Sequence, residues 1–234
     1  MKKIIFWSIL FGIISSIAGC TGMNDKHDMY LQAGEIDYIG RVDSARILPG
    51  NQRFKLRYWL TDPRAKVMKI YWSQKTDSLI VPILTHQPKD SIDIMIGDAQ
   101  KIIPENNYTI QIITTDGGKL SSILFEKIGN VYGPKYQASI TSRLYTLVKY
   151  TVLNSVVTIS WAGITSDKEI GLEISYFSPD NTPIKTRLTT AAVGTSTVLT
   201  NVNKSKGITY RTMFMPEKLA IDTFFTASKT VIIP

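Results

Sequence analysis

Phe54-Lys55-Leu56-Arg57-Tyr58 and Val157-Thr158-Ile159-Ser160-Trp161 each alternate apolar with polar residues and close on an aromatic ring. Alternation at period two marks a strand with one buried face and one wet face. Met68-Lys69-Ile70-Tyr71-Trp72 and Leu172-Glu173-Ile174-Ser175-Tyr176 form a second matching pair. Tyr108-Thr109-Ile110-Gln111-Ile112 and Tyr210-Arg211-Thr212-Met213-Phe214 form a third. The shift between partners is nearly constant: 103 residues from Tyr58 to Trp161, 104 from Ile70 to Ile174, and 102 from Tyr108 to Tyr210. A shift of one domain length, held across three strands, implies an internal duplication. Beyond residue 35 no stretch carries a 3.6-residue amphipathic repeat. Short runs rich in Ile, Val, Thr and Tyr are instead split by Gly, Pro, Asn and Asp, the pattern of an all-β sandwich.

Within each half a strand ending in an inward aromatic is followed by one reading apolar-x-aromatic. Then come a strand such as Thr197-Val198-Leu199-Thr200-Asn201-Val202 and a strand opening with Tyr. This order resembles a fibronectin type III or immunoglobulin-like domain. The opening Tyr resembles the tyrosine corner, whose hydroxyl satisfies a backbone group at the preceding bend. Thr115-Asp116-Gly117-Gly118-Lys119 is a hairpin signal, and Ser178-Pro179-Asp180-Asn181-Thr182-Pro183 a longer turn. The expected organisation is a lipoprotein signal peptide (1–19), a tether (20–35), a β-sandwich (36–128), a linker (129–139) and a second β-sandwich (140–234). Val131, Tyr132 and Tyr136 are too apolar for a freely solvated linker, and are expected to pack between the sandwiches and hold one angle.

Met1-Lys2-Lys3 and the apolar run Ile4–Ile14 read as the n- and h-regions of a signal peptide, too short for a confident membrane span. Ile17-Ala18-Gly19-Cys20 resembles the bacterial lipobox. That resemblance implies cleavage before Cys20 and acylation of its thiol and its freed amine, which anchors the chain in a membrane. Thr21, not Asp, follows the cysteine; by the sorting rule of enterobacterial lipoproteins this implies the outer membrane. With its one cysteine given to lipid, the chain has no disulfide framework and no Cys-based zinc site. The net charge of +8 is spread without a dense basic run, so nucleic acid is a poor partner.

Met23-Asn24-Asp25, Tyr38-Ile39-Gly40, Ile70-Tyr71-Trp72 with Asp77-Ser78, and Val131-Tyr132-Gly133 are similar to motifs of a Bacteroidetes lipoprotein family of unknown function. The most specific match is Arg211-Thr212-Met213-Phe214-Met215-Pro216-Glu217 with Ala220-Ile221-Asp222-Thr223-Phe224. The family occurs near polysaccharide-utilisation systems and brings no catalytic residues with it.

Nothing in the sequence reads as an active site. His27 lies in the tether and His86 in a turn; Asp62, Asp90, Asp116 and Asp180 flank turns. No Gly-rich phosphate loop opens a helix. No catalytic residue, metal or cofactor is expected. Aromatic parity leaves Trp59, Tyr71 and Phe177 facing outward as candidate contact residues, with Tyr58, Trp72, Trp161 and Tyr176 in the cores. Asp43-Ser44-Ala45, Asp77-Ser78-Leu79 and Asp90-Ser91-Ile92 resemble the O-glycosylation signal of exported Bacteroidetes proteins, which marks Ser44, Ser78 and Ser91. Two functions fit. One is a non-enzymatic accessory lipoprotein that binds glycan or assembles a polysaccharide-transport complex at the outer membrane. The other is a structural, adhesin-like protein that binds other proteins and has no sugar affinity. Outward aromatics aligned on one face favour sugar; an unprotected edge strand favours protein.

Overall fold

The structure, a computed structural model, describes residues 37–84, 87 and 90–234. Two β-sandwiches follow one another in the chain. In the first, β1 (Ser44–Pro49), β2 (Phe54–Trp59) and β5 (Ile92–Ile96) pair in the order β1-β2-β5. They face a sheet of β3 (Val67–Trp72), β4 (Asp77–Pro82), β6 (Asn106–Thr115) and β7 (Phe125–Val131), ordered β4-β3-β6-β7. The second sandwich repeats the plan. Its small sheet joins β8 (Tyr145–Thr151), β9 (Val156–Trp161) and β12 (Ser196–Leu199), ordered β12-β9-β8. Its large sheet runs β11 (Pro183–Thr189), β10 (Glu169–Phe177), β13 (Ile208–Phe214), with β14 (Phe224–Phe225) and β15 (Lys229–Val231) sharing the far edge of β13. That edge is split because the Thr212 amide donates to the Thr226 hydroxyl, so a side chain stands in for a ladder carbonyl.

Period two sets the cores. In β2, Phe54, Leu56 and Tyr58 are buried while the residues between them are not; β3 buries Met68, Ile70 and Trp72. Their counterparts Val157, Ile159 and Trp161, and Leu172 and Ile174, build a separate second core. Trp161 meets Tyr210 edge to face at 4.9 Å and donates its indole N–H to Thr197 Oγ1 at 3.0 Å. Its polar edge is thus satisfied while its apolar body fills the core.

The copies differ at the tyrosine expected at each bend. Tyr108 donates to the Pro104 carbonyl at 2.9 Å, the local bend bond of a tyrosine corner. Tyr210 donates instead to the carbonyl of Arg143, 67 residues away, at 2.7 Å. Arg143 draws the entering chain inward, since its side chain is buried with Nε 2.7 Å from Glu169 Oε1. Burial pushes the Glu169 carboxyl up against the pull of Arg143. Glu169 sits beside a register shift in β10, where Gly171 has φ +148°. A Cβ at Gly171 would lie 1.9 Å from the Leu188 carbonyl oxygen, so only glycine fits.

Two details depart from the sequence reading. Residues 129–131, expected in the linker, finish β7: Gly129 pairs with Tyr108, and Val131 is buried opposite Asn106. The rest of that segment holds helix α1 (Pro134–Ser139), and α2 (Thr190–Val193) follows β11. Both helices are too short to display a helical repeat. Replacing Trp161 or Tyr58 by Ala is expected to destabilise its sandwich by about 3–5 kcal/mol, and Trp59→Ala by about 1 kcal/mol or less. Denaturant titration checks this; the reverse order would mean that β2 and β9 are read one residue out of register.

Candidate functional site

The outward aromatics do not come together. Trp59 ends β2, half-buried, with the Arg46 guanidinium 5.7 Å from its ring centre. Tyr71 is half-buried on β3, in register with Ser78 and Gln111. Phe177 ends β10 of the second sandwich, opposite Pro183, and is exposed. The rings belong to three different sheets, and the two sheets of a sandwich turn their outer faces in opposite directions. Ser44, Ser78 and Ser91 are exposed, at the start of β1, within β4 and just before β5. Cys20, His27 and His86 lie outside the described residues, as do the segments expected to be a signal peptide (1–19) and a tether (20–35). Among the described residues, no cluster of His, Cys, Asp and Glu has the grouping of a metal site, and no helix is long and apolar enough to cross a membrane.

The most heavily built site is the junction of the two sandwiches, where two carboxylates of the second take donors from across the boundary and a third, in the first, caps the helix of the linker. Asp222, in the loop before β14, accepts from the Asn51 amide at 2.9 Å and from Arg53 Nε at 2.9 Å and Nη2 at 2.5 Å. This fork holds its carboxyl below the usual carboxylate range against the opposing effect of burial. Glu217 accepts from Asn130 Nδ2 at 2.8 Å and the Tyr132 hydroxyl at 3.0 Å. Burial and that bond push the Tyr132 hydroxyl up to about 12, so it remains a donor. Glu105 receives the Lys135 and Tyr136 amides at 2.7 and 2.9 Å. These are free donors of the first turn of α1, whose N-cap Gly133 offers no side-chain bond.

Backbone and rings complete the junction. The turn between β1 and β2 is held from two sides: Gln52 N donates to Tyr132 O and Tyr132 N to Gly50 O, while Ile221 N donates to Pro49 O. A Cβ on Gly50 would fall 2.5 Å from Asp222 Oδ2 and 2.8 Å from Ile221, so the close approach requires glycine. Tyr132, Tyr136 and Phe224 form a triangle of edge-to-face contacts, with centroids 5.0, 5.0 and 6.4 Å apart. Tyr132 and Tyr136 pack at the junction, whereas Val131, expected there with them, lies in the core of the first sandwich. Parity arguments missed Glu105, Glu217 and Asp222, because loop carboxylates carry no periodic signal; the motif Met215–Phe224 contained two of them.

Two consecutive three-plus-larger sandwiches with this strand order define a tandem fibronectin type III-like protein. The chain belongs to the DUF4998 family, a domain of unknown function, whose model matches residues 20–224. That span takes in the first sandwich, the junction motif and the second sandwich up to the start of β14. Among solved structures, the chain is similar to the FN1–FN3 domains of chicken CNTN1, with 13% identity and a TM-score of 0.41 over 82% of this chain. It spans 64% of the length of that fragment. It is also similar to a two-domain fibronectin type III segment of chicken tenascin, with 13% identity, 82% of this chain and 98% of that one covered, and a TM-score of 0.31. No curated protein matches the sequence.

Asp222→Ala removes three hydrogen bonds to a charged acceptor and is expected to weaken docking of the sandwiches by about 1–3 kcal/mol. Gly50→Ala acts on the same contact from the other side. Limited proteolysis reads both: wild type resists cleavage between residues 132 and 140, and the variants are cut there into two stable halves. Rapid cutting of the wild type would show that the sandwiches swing freely.

Proposed function

We propose that this protein is a non-enzymatic lipoprotein, anchored in the outer membrane through acyl chains on Cys20, that serves as an assembly component of a polysaccharide-uptake complex. The observation that carries the reading is the junction: acids, backbone and rings are all committed to holding two sandwiches at one angle. A catalyst of this size would commit such groups to a cleft, whereas a scaffold needs the relative placement of two surfaces. The edge strand β4 adds a surface of the right kind. Among the described residues it pairs only with β3, and Ile80 is 61% exposed on it, which suits pairing with a strand of another protein. Outward rings scattered over three sheets lack the alignment on one face that would favour a sugar platform. Glycan on at least one of Ser44, Ser78 and Ser91 belongs to the same proposal; at Ser44 or Ser91 it leaves the β4 edge open for pairing, whereas at Ser78, within β4, it would close that edge.

Cys20→Ser is expected to move the protein out of the membrane fraction and abolish lipid labelling; labelling that survives it would refute the anchor. Native electrophoresis of detergent-solubilised membranes tests assembly. The wild-type chain should migrate in a complex well above the mass of a single processed chain, and an anchored, folded Glu217→Ala/Asp222→Ala variant should not. A wild type that migrates alone would overturn the assembly role.

A further inference from the structure

The outer face of the large sheet in the second sandwich carries a cluster that the junction does not use. In cross-strand register, Arg187, Glu173 and Arg211 form one row, and Lys185, Ser175 and Thr209 the next. Glu173 lies at the centre with its side chain 2% exposed, against 62% for Arg187, 57% for Lys185 and 35% for Arg211. Arg187 Nε donates to Glu173 Oε2 and Arg211 Nε to Oε1, both at 2.7 Å, and Lys185 Nζ lies 3.0 Å from Oε1. Burial alone would raise the Glu173 carboxyl, but the bonds from Arg211, Arg187 and Lys185 hold it at about 2. One carboxylate thus orients three cations and leaves the face two charges positive.

Both guanidiniums reach Glu173 through Nε, so the Nη groups that recognise anions in pairs are not spent on it. Both also lie over Phe225, Arg211 at 3.8 Å and Arg187 at 5.4 Å from the ring centre, which fixes their planes. Glu173, Ser175, Lys185, Thr209 and Arg211 line an open, shallow depression. Phe177 stands at one end of the face; the row of Phe225, opposite Met213 and Gly171, is at the other. Six strand residues separate them, roughly 20 Å.

We propose that this face binds an acidic polysaccharide, with Arg187, Arg211 and Lys185 taking the carboxylates of uronic acid units. Ser175 and Thr209 meet the sugar hydroxyls between them. The centre of the face presents charge and hydroxyl groups, and its one ring, Phe225, is half-buried under the two guanidiniums, whereas a protein interface is built around aromatic or aliphatic anchors that the partner itself covers. The inference goes beyond the assembly role and does not rest on it, since a different face and different residues carry it.

Affinity electrophoresis of the full chain in neutral detergent, with polygalacturonate in the gel, tests the proposal. The wild type should be retarded by polygalacturonate and not by neutral dextran, with retardation falling as salt rises. Arg187→Gln/Arg211→Gln should weaken retention by about tenfold or more, equivalent to about 1.4 kcal/mol. Lys185→Gln, at an exposed position, should weaken it several-fold and decides the matter alone if the double variant does not fold. Absent retention, or variants retained like the wild type, would overturn the proposal. Equal retention by poly-glutamate would reassign the face to an acidic protein, and equal retention of wild type and variants by dextran sulfate would reduce it to bulk charge; either result overturns the polysaccharide.

Discussion

A carboxylate enclosed between two domains must find donors or be expelled to water. Asp222 finds them only when the turn between β1 and β2 of the other sandwich stands against it, with the Asn51 amide and the Arg53 guanidinium in place. This one requirement links residues 169 apart in sequence and makes the two sandwiches a single arrangement rather than beads on a string. The Arg53–Asp222 pair is partly exposed and contributes modestly by itself. Its geometry matters more than its energy. The favourable burial comes from Phe224, 1% exposed, packed against Tyr132 and Tyr136; the carboxylates decide which of many apolar packings is the one adopted.

The same division of labour explains what was legible in the sequence. Parity alone separated Tyr58 from Trp59 and Trp72 from Tyr71, and the structure buries Tyr58 and Trp72 to 1% and 3% exposure while leaving their neighbours half open. Buried strand faces repeat every second residue because the backbone forces them to. Loops obey no such rule. Glu105 caps a helix 30 residues away and Glu217 reaches Tyr132 across 85 residues, and no local pattern encodes either contact. The β7 boundary was misplaced for a related reason: Gly129 and Gly133 look like linker residues, yet Gly129 sits in a ladder where Ile47 leaves no room for a side chain.

Duplication supplied two copies of one scaffold, and the copies diverged most where the core did not constrain them. On the large sheet the outward positions Lys69 and Tyr71 of β3 correspond to Glu173 and Ser175 of β10. In the first set Tyr71 lies opposite the amide of Gln111, while in the second Glu173 is held by guanidiniums. The buried partners Ile70 and Ile174 remained identical at 0% exposure. Tyr108 and Tyr210 show the intermediate case: both rings are buried, but each hydroxyl satisfies a different carbonyl because Arg143 brings a new one within reach of the second.

The pH response of the junction follows from its acids. Asp222 is held below the unfolded carboxylate value near 3.9, so its contribution is fully present above that value and is lost as pH falls through the lower folded one. Tyr132, pushed up to about 12, keeps its proton far above that range, so the bond to Glu217 does not weaken from the tyrosine side at neutral or mildly alkaline pH. Acid therefore reaches the junction through Asp222. The cores of the two sandwiches, held by Trp161, Tyr58 and the aliphatic side chains around them, contain no such titrating contact apart from Arg143 and Glu169. As pH falls below about 3.9, loss of the Asp222 contacts should loosen the joint before either sandwich unfolds. Scattering or cleavage at the joint, followed alongside the near-ultraviolet signal of Trp161 and Tyr210 as pH is lowered from 5 to 2, separates the two events. A single coincident transition would show that the sandwiches depend on each other for their own stability.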